Sequence, residues 1–247
     1  MECYFDGSEG RDTSGDTWLT LAGFAASDAA WKGFDAAWVT MLRERYPVAP
    51  YVHMSQILAA EDPFERVNGW TKDKVVSLVS DAVDLLVNRK SLRSFSCRIN
   101  LTARQRIINE GNAVYEPARL CAEMCSVLSL KWGLARTIER VYMFFDRGEH
   151  FMKTFEDQWL ANRTPLRTIA TDPNKRVWDL IANMVEADME TTPPLQAADM
   201  IAWSTTRDLA NKLKELYDLD QYMNDLVADD HAIMDEQLLR ARYTTPL

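Results

Sequence analysis

The sequence has few cysteines, and they are scattered. Its 247 residues include only Cys3, Cys97, Cys121 and Cys125. That number and spacing exclude a disulfide framework and favour a reducing, cytoplasmic compartment. The absence of a CxxC pair argues against a structural zinc site. Cys121 and Cys125 stand four residues apart, which is typical of the buried face of a helix.

Long apolar runs are also missing. No run is long enough to cross a bilayer, so we expect no membrane partner. The first residues lack the basic region and apolar stretch of a signal peptide. The chain shows no internal repeat, no low-complexity segment and no clean linker. Its hydrophobic fraction of 47% supplies an ample core, which we assign to an α/β domain over residues 1–215 followed by an acidic helical extension over 216–247.

Charge is unevenly distributed along the chain. The net charge of −9 argues against non-specific binding of nucleic acid. Residues 85–109 nevertheless contain no acid but six basic side chains, namely Arg89, Lys90, Arg93, Arg98, Arg104 and Arg106. Residues 216–237 contain no Lys or Arg but seven acids, namely Asp218, Asp220, Asp225, Asp229, Asp230, Asp235 and Glu236. This pattern fits a basic face for phosphates or, equally well, a solvated surface of uneven charge. A homo-oligomer is left open.

Hydrophobic periodicity predicts intermixed strands and helices. Apolar and β-branched runs predict strands over residues 2–6, 17–25, 94–101, 140–146 and 181–187. The last run is the weakest of these, since residues 177–185 could instead be helical. Spacings of three and four predict helices from about residues 28, 71, 113, 151 and 193. Residues 51–54 are ambiguous and are interpreted as a strand edge. The expected class is therefore α/β, with a mixed sheet flanked by helices and with helical insertions.

The chain is organised around the stretch from Pro193 to Trp203. A helix can begin at the proline pair, because proline is tolerated in a first turn. Its core face is formed by Leu195, Ala198, Ile201 and Ala202. Asp199 lies beside that face, where its carboxylate must be solvated, paired or bound to a cation. An ordinary first-turn acid that complements the helix dipole is the plainer alternative.

Two further aspartates, Asp6 and Asp146, each end a predicted strand. Strand ends that lead into turns are where α/β sheets place functional groups. Three carboxylates of this kind are hard oxygen ligands, which suit Mg²⁺ or Mn²⁺. Two such cations held by carboxylates are a known device for cutting phosphodiesters. Asp6 could instead begin an Asx turn through Gly7 and Ser8.

Four short elements occur in the order seen in the family catalogued as domain of unknown function 3800 (DUF3800). They are Tyr4-Phe5-Asp6-Gly7-Ser8, Tyr51-Val52-His53, the strand ending at Asp146, and Leu195-Gln196-Ala197-Ala198-Asp199. The chain resembles this family over roughly residues 3 to 210. The resemblance implies a ribonuclease-H-like fold, an acidic metal site and a nuclease or transposase-related activity. It implies that Asp6, Asp146 and Asp199 bind metal and, with His53, form the catalytic set.

The chain departs from the family pattern at two positions. The family's Asp-Glu-Ser-Gly opening reads Asp6-Gly7-Ser8-Glu9 here, so the second acid is displaced. The Glu of a Glu-x-His element is Tyr51. Substitutes for a fourth carboxylate are Glu123, Glu149 and Asp188. His53 could also be an ordinary hydrogen-bonded structural histidine, and His150 and His231 are interpreted as surface residues.

These observations favour a metal-dependent phosphodiester hydrolase that uses Mg²⁺ or Mn²⁺ on DNA or RNA. Ser8, Gln196, Arg98 and Arg104 are the predicted substrate contacts, although Gln196 could instead bond to the backbone. The alternative is a catalytically inactive binding or regulatory module with the same fold, which fits the missing acid and the net charge of −9. A third interpretation is a structural subunit whose acidic tail docks on a basic partner. That tail could also mimic nucleic acid and cover the basic run.

Overall fold

A six-stranded sheet forms the centre of the computed structural model, which describes residues 1–147, 151–162, 177–208, 226, 228–242 and 244–246. Its strands are β1 (Glu2–Arg11), β2 (Thr17–Ala26), β3 (Arg93–Asn100), β5 (Val141–Asp146), β6 (Ile181–Ala187) and β7 (Asp230–Met234). A separate short pair joins β4 (Asn112–Val114) to β8 (Thr244–Pro246). The helices are α1 (Asp28–Arg45), α2 (Met54–Ala59), α3 (Lys72–Val87), α4 (Leu101–Asn109), α5 (Pro117–Leu134), α6 (Met152–Asn162), α7 (Pro193–Asp208) and α8 (Glu236–Arg242).

The strand order is β6-β5-β1-β2-β3-β7, and the sheet is mixed. The first three strands form an antiparallel meander. β5 runs parallel to β1, β6 parallel to β5, and β7 parallel to β3. The predicted class, an α/β fold with a mixed sheet flanked by helices, is confirmed. None of the described helices is long and apolar enough to cross a membrane.

Side chains alternate between the two faces of the sheet, as the pleat requires. On β1, Cys3 and Phe5 join the core beneath α4, α5 and α6. Tyr4 belongs to the opposite core, beneath α1, α3 and α7. All four cysteines are free thiols buried in the first of these cores. Asp6 stands two residues after Tyr4, so the pleat directs it to the α7 side.

Helix α7 begins at Pro193, as predicted from the proline pair. The predicted core face is confirmed, since Leu195, Ala198, Ile201 and Ala202 are fully buried. Burial extends further than one face, because every residue from Leu195 to Trp203 is buried. The helix lies against β1 and β2 on one side and α1 on the other. Asp199 is therefore a carboxylate inside the protein.

The prediction that Asp6 ends its strand is wrong. β1 continues to Arg11, and Ser8, Glu9 and Gly10 pair with the start of β2. The turn comes later, where the Asp12 carboxylate accepts the N–H of Ser14 and of Asp16. Asp6 is thus fixed on both sides by the sheet. It is not the first residue of an Asx turn.

The segment predicted as a helical extension from residue 216 is not purely helical. Asp230–Met234 forms β7, an edge strand of the main sheet beside β3. Arg93 of β3 holds this strand through ion pairs to Asp229 at 3.2 Å and Asp230 at 2.9 Å. Only Glu236–Arg242 is helical in the part described. The predicted helical residues Leu219, Tyr222, Met223 and Val227 lie outside the described ranges.

Candidate functional site

The three aspartates predicted from the sequence line one pocket. The pocket has a volume of about 350 Å³ and lies where β1, the end of β5, the start of α2 and the middle of α7 meet. Its walls contain Asp6, Gly7, Ser8, Glu9, His53, Ser55, Asp146, Met189, Asp199, Trp203 and Arg207. All four predicted catalytic residues and Ser8 therefore line the pocket. Side chains far apart in the sequence therefore converge, as expected.

Asp199 is the most enclosed acid of the site, at 5% exposure. Its Oδ2 accepts the Met54 N–H at 2.6 Å, which ties α7 to the first turn of α2. Burial raises the pKa of Asp199 from 3.8 to about 6, while the charge of His53 and this hydrogen bond oppose the rise. The negative charge of Asp146 adds to it. The Asp199 carboxylate is thus held in place and poorly solvated, so a bound cation would stabilise its ionised form.

Asp146 ends β5 as predicted and is only partly buried. Its Oδ1 accepts the Met189 N–H at 3.1 Å from the short 3₁₀ turn after β6. Burial raises the pKa of Asp146, and Asp188 raises it further, against backbone hydrogen bonds and the charge of His53. Backbone donors therefore orient both Asp146 and Asp199.

Asp6 occupies the middle of β1 and is 6% exposed. The parallel register pairs Phe5 with Phe145, which places Asp6 beside Asp146 at the next position. Ser8 follows two residues later on the same face, and Glu9 is exposed at the pocket wall. Glu9 alternates with Asp6 and Ser8 along β1, so it lines the pocket without sharing their face of the sheet.

His53 precedes α2 and is not part of a strand edge, because the chain there turns directly into the helix. Its Nε2 lies 3.1 Å from Ser55 Oγ. Its charge lowers the pKa of both Asp146 and Asp199. His53 therefore acts electrostatically on both acids, which suits a role in proton transfer or phosphate positioning.

The chemistry of the acids favours a metal site, but their arrangement does not. The three aspartate carboxylates are the hard oxygen donors that Mg²⁺ and Mn²⁺ prefer. Among the residues described, however, no group of three or more His, Cys, Asp or Glu side chains is placed to hold a metal ion. The pocket thus collects suitable ligands without presenting them as an assembled coordination sphere.

Gln196 was predicted to contact substrate, but it is a structural residue. It is 2% exposed and does not line the pocket. Its Oε1 accepts the Trp38 Nε1–H at 2.8 Å and the Val52 N–H at 3.0 Å. Its Nε2 donates to Met189 O at 3.0 Å. The side-chain amide is therefore committed to joining α7, α1 and the chain before α2.

Arg98 and Arg104, the other predicted substrate contacts, do not line the pocket either. Arg98 lies on β3, and the central carbon of its guanidinium is 5.7 Å from the centroid of the Trp18 ring. Arg104 donates to the carbonyls of Val114 and Tyr115 and so fastens α4 to the β4 segment. The basic run is partly neutralised by the acidic tail, since Arg93 pairs with Asp229 and Asp230, and Arg106 pairs with Glu236 at 3.0 Å.

The remaining candidates differ in position. Asp188 lies next to the site, where it affects Asp146 and pairs with Arg147 at 3.3 Å. Glu123 lies on α5 and does not line the pocket. Glu149 and His150 lie outside the described ranges. His231 is exposed on β7, as predicted for a surface residue, and its Nδ1 lies 2.5 Å from Ser96 Oγ.

Sequence reasoning missed several side chains of the pocket, among them Trp203 and Arg207. Both follow Asp199 on α7 at successive intervals of four residues, so all three lie along one side of the helix. That spacing was the available signal.

Comparison of the chain with family models, with curated proteins and with solved structures gave no match.

Proposed function

We propose that the protein is a metal-dependent phosphodiester hydrolase, nuclease or transposase-related, with a ribonuclease-H-like fold. The observation that carries the proposal is the convergence of Asp6, Asp146 and Asp199 with His53 on one pocket. The resemblance to the DUF3800 family supports it. So does the mixed sheet, in which an antiparallel meander is continued by two parallel strands beyond β1.

The roles of the residues follow from their surroundings. Asp6, Asp146 and Asp199 would hold Mg²⁺ or Mn²⁺, which would supply activation of water and stabilisation of charge. Backbone N–H donors keep the Asp146 and Asp199 carboxylates oriented toward their positions in the pocket. His53, whose charge acts on both of these acids, would position a phosphate oxygen or transfer a proton to the leaving oxygen. Ser8, in the second half of β1, would contact the substrate backbone.

The Asp6→Asn variant tests this proposal. We expect it to lose Mg²⁺- or Mn²⁺-dependent cleavage by about 100-fold or more, because a carboxylate donor is removed. Its melting temperature without metal should be unchanged or higher, because clustered negative charge is relieved. Cleavage of labelled DNA and RNA oligonucleotides and thermal unfolding measure the two effects.

Asp84→Asn is the matched control, since Asp84 is an exposed helical acid that does not line the pocket. It should cleave as the parent does. An Asp6→Asn protein that cuts at the parental rate would remove Asp6 from the site.

A binding or regulatory module without catalysis is the second candidate. It is favoured by the unassembled arrangement of acids among the described residues. It is also favoured by Tyr51, which takes the place of the family glutamate and is buried with its hydroxyl donating to Gln56 Oε1 at 3.0 Å. Calorimetric titration separates the candidates, because a module of this kind binds no Mn²⁺ at millimolar concentration.

A further inference from the structure

The acid-lined pocket also contains Arg207, whose guanidinium has no acidic partner among the residues that the structure describes. Arg207 lines the pocket together with Asp6, Glu9, Asp146 and Asp199. Within the described parts of the chain, Arg207 forms no ion pair, and its Nε is enclosed without a hydrogen-bond acceptor. An arginine in a pocket lined by carboxylates would be expected to pair with one of them unless the fold held it apart.

The fold does hold the guanidinium apart. Its central carbon lies 5.5 Å from the centroid of the buried Trp203 ring, in a cation–π contact one helical turn away. On the other side it reaches β1 at Gly10, where an added Cβ would lie 3.6 Å from Arg207 Nη1. The same Cβ would lie 2.5 Å from Thr206 Cγ2, so glycine is what lets α7 approach the strand. The ring and the strand fix the charge at the wall of the pocket beside Ser8 and Glu9.

We propose that Arg207 binds a phosphate oxygen of the nucleic-acid strand, in a subsite adjoining the acidic pocket. This inference rests on the proposed function. The planar guanidinium presents several N–H donors that match two phosphate oxygens at once. An acidic pocket attracts a polyanion poorly, and a fixed cation at its wall offsets part of that repulsion. The subsite thus places a phosphate group of the substrate at the wall of the pocket, between α7 and β1.

The Arg207→Met variant tests the subsite, because methionine keeps an unbranched apolar contact with Trp203 and removes the charge. Arg136→Met is the matched control: Arg136 lies 4.3 Å from the Trp132 ring, is exposed and does not line the pocket. The probes are fluorescent single-stranded DNA and RNA 12-mers, titrated in Ca²⁺ and in EDTA at several salt concentrations. Mn²⁺ binding is measured separately by calorimetry.

We expect Arg207→Met to weaken oligonucleotide binding about 10- to 100-fold, the effect of losing a charge-assisted hydrogen bond. The dependence of log affinity on log salt should fall by about 1, as for one lost phosphate contact. Mn²⁺ affinity should be unchanged or tighter, because a nearby positive charge is gone. Arg136→Met should bind oligonucleotide as the parent does.

Each other result has a defined meaning. Unchanged oligonucleotide affinity in Arg207→Met overturns the inference, as does a parent protein that binds no oligonucleotide in either condition. An equal loss of Mn²⁺ and oligonucleotide binding also overturns it, because Arg207 would then support the site as a whole. A parent that binds no Mn²⁺ defeats the proposed function, whereas a selective loss of oligonucleotide binding in Arg207→Met would still support the phosphate subsite.

Discussion

Replacing Asp199 with asparagine should raise the melting temperature at pH 8 and give no increase at pH 4. Burial raises the pKa of Asp199 from 3.8 to about 6 in the folded protein. The folded state therefore binds more protons than the unfolded state between these values, and the parent loses stability as pH rises through this window. Above it, the ionised carboxylate costs up to about 3 kcal/mol.

Asparagine removes this cost, and its amide oxygen can still accept the Met54 N–H. Its buried amide N–H groups bring a cost of about 1 kcal/mol in return. The net gain of about 2 kcal/mol corresponds to about 4–8 °C for a chain of this size. Thermal unfolding at the two pH values, without divalent cations, measures the effect. Asp84→Asn is the control and should show no dependence of this kind. An equal gain at pH 4 and pH 8 would contradict a shifted Asp199.

Gln196→Leu should destabilise the protein by about 3–5 kcal/mol, a large effect for one substitution. Leucine is similar in size but leaves the Trp38 Nε1–H and the Val52 N–H buried without their acceptor. Each unsatisfied buried donor costs about 1–3 kcal/mol. The Met189 carbonyl also loses its donor. The melting temperature should therefore fall by about 10 °C.

Urea unfolding of Gln196→Leu, beside Gln105→Leu, checks this expectation. Gln105 is exposed on α4 and bonds only to Asn109 within its own helix among the described residues, so its variant should keep nearly full stability. A stable Gln196→Leu protein with weakened substrate binding would instead restore the role first predicted for Gln196. The free energy of unfolding alone tests the structural role, and it needs no knowledge of the substrate.

The residues of α7 show what the sequence could predict. The proline pair and the apolar spacing after it predicted both the start of the helix and the burial next to Asp199. The spacing is local, and the structure agrees with it. The meeting of Asp6 with Asp146 was predicted from a different kind of signal, the order of short motifs along the chain.

Asp6 and β7 show where local patterns failed. Gly7, Ser8 and Gly10 have the composition of a turn, yet pairing with β2 keeps them in a strand. Gly7 and Ser8 line the pocket, and residues this small are the types that turns also use. In β7, Asp230 and His231 have weak strand propensity. Their conformation is set by β3 and by Arg93, which no window along the sequence includes.

The predictions that Gln196 and Arg104 contact substrate failed for a related reason. Both side chains carry polar groups typical of ligand contacts, and both form hydrogen bonds with backbone atoms of other segments. Residue type alone does not distinguish a donor that serves a ligand from one that serves the fold. Only the position of the partner atoms does.

The bond from the Met54 N–H to Asp199 gives the pocket a built-in reporter. This amide exchanges its hydrogen with solvent only when the bond opens. A cation or a proton that competes for the electrons of Asp199 Oδ2 weakens the bond, and the start of α2 will then exchange faster. Deuterium uptake at one backbone position will thus follow the state of a carboxylate on another helix.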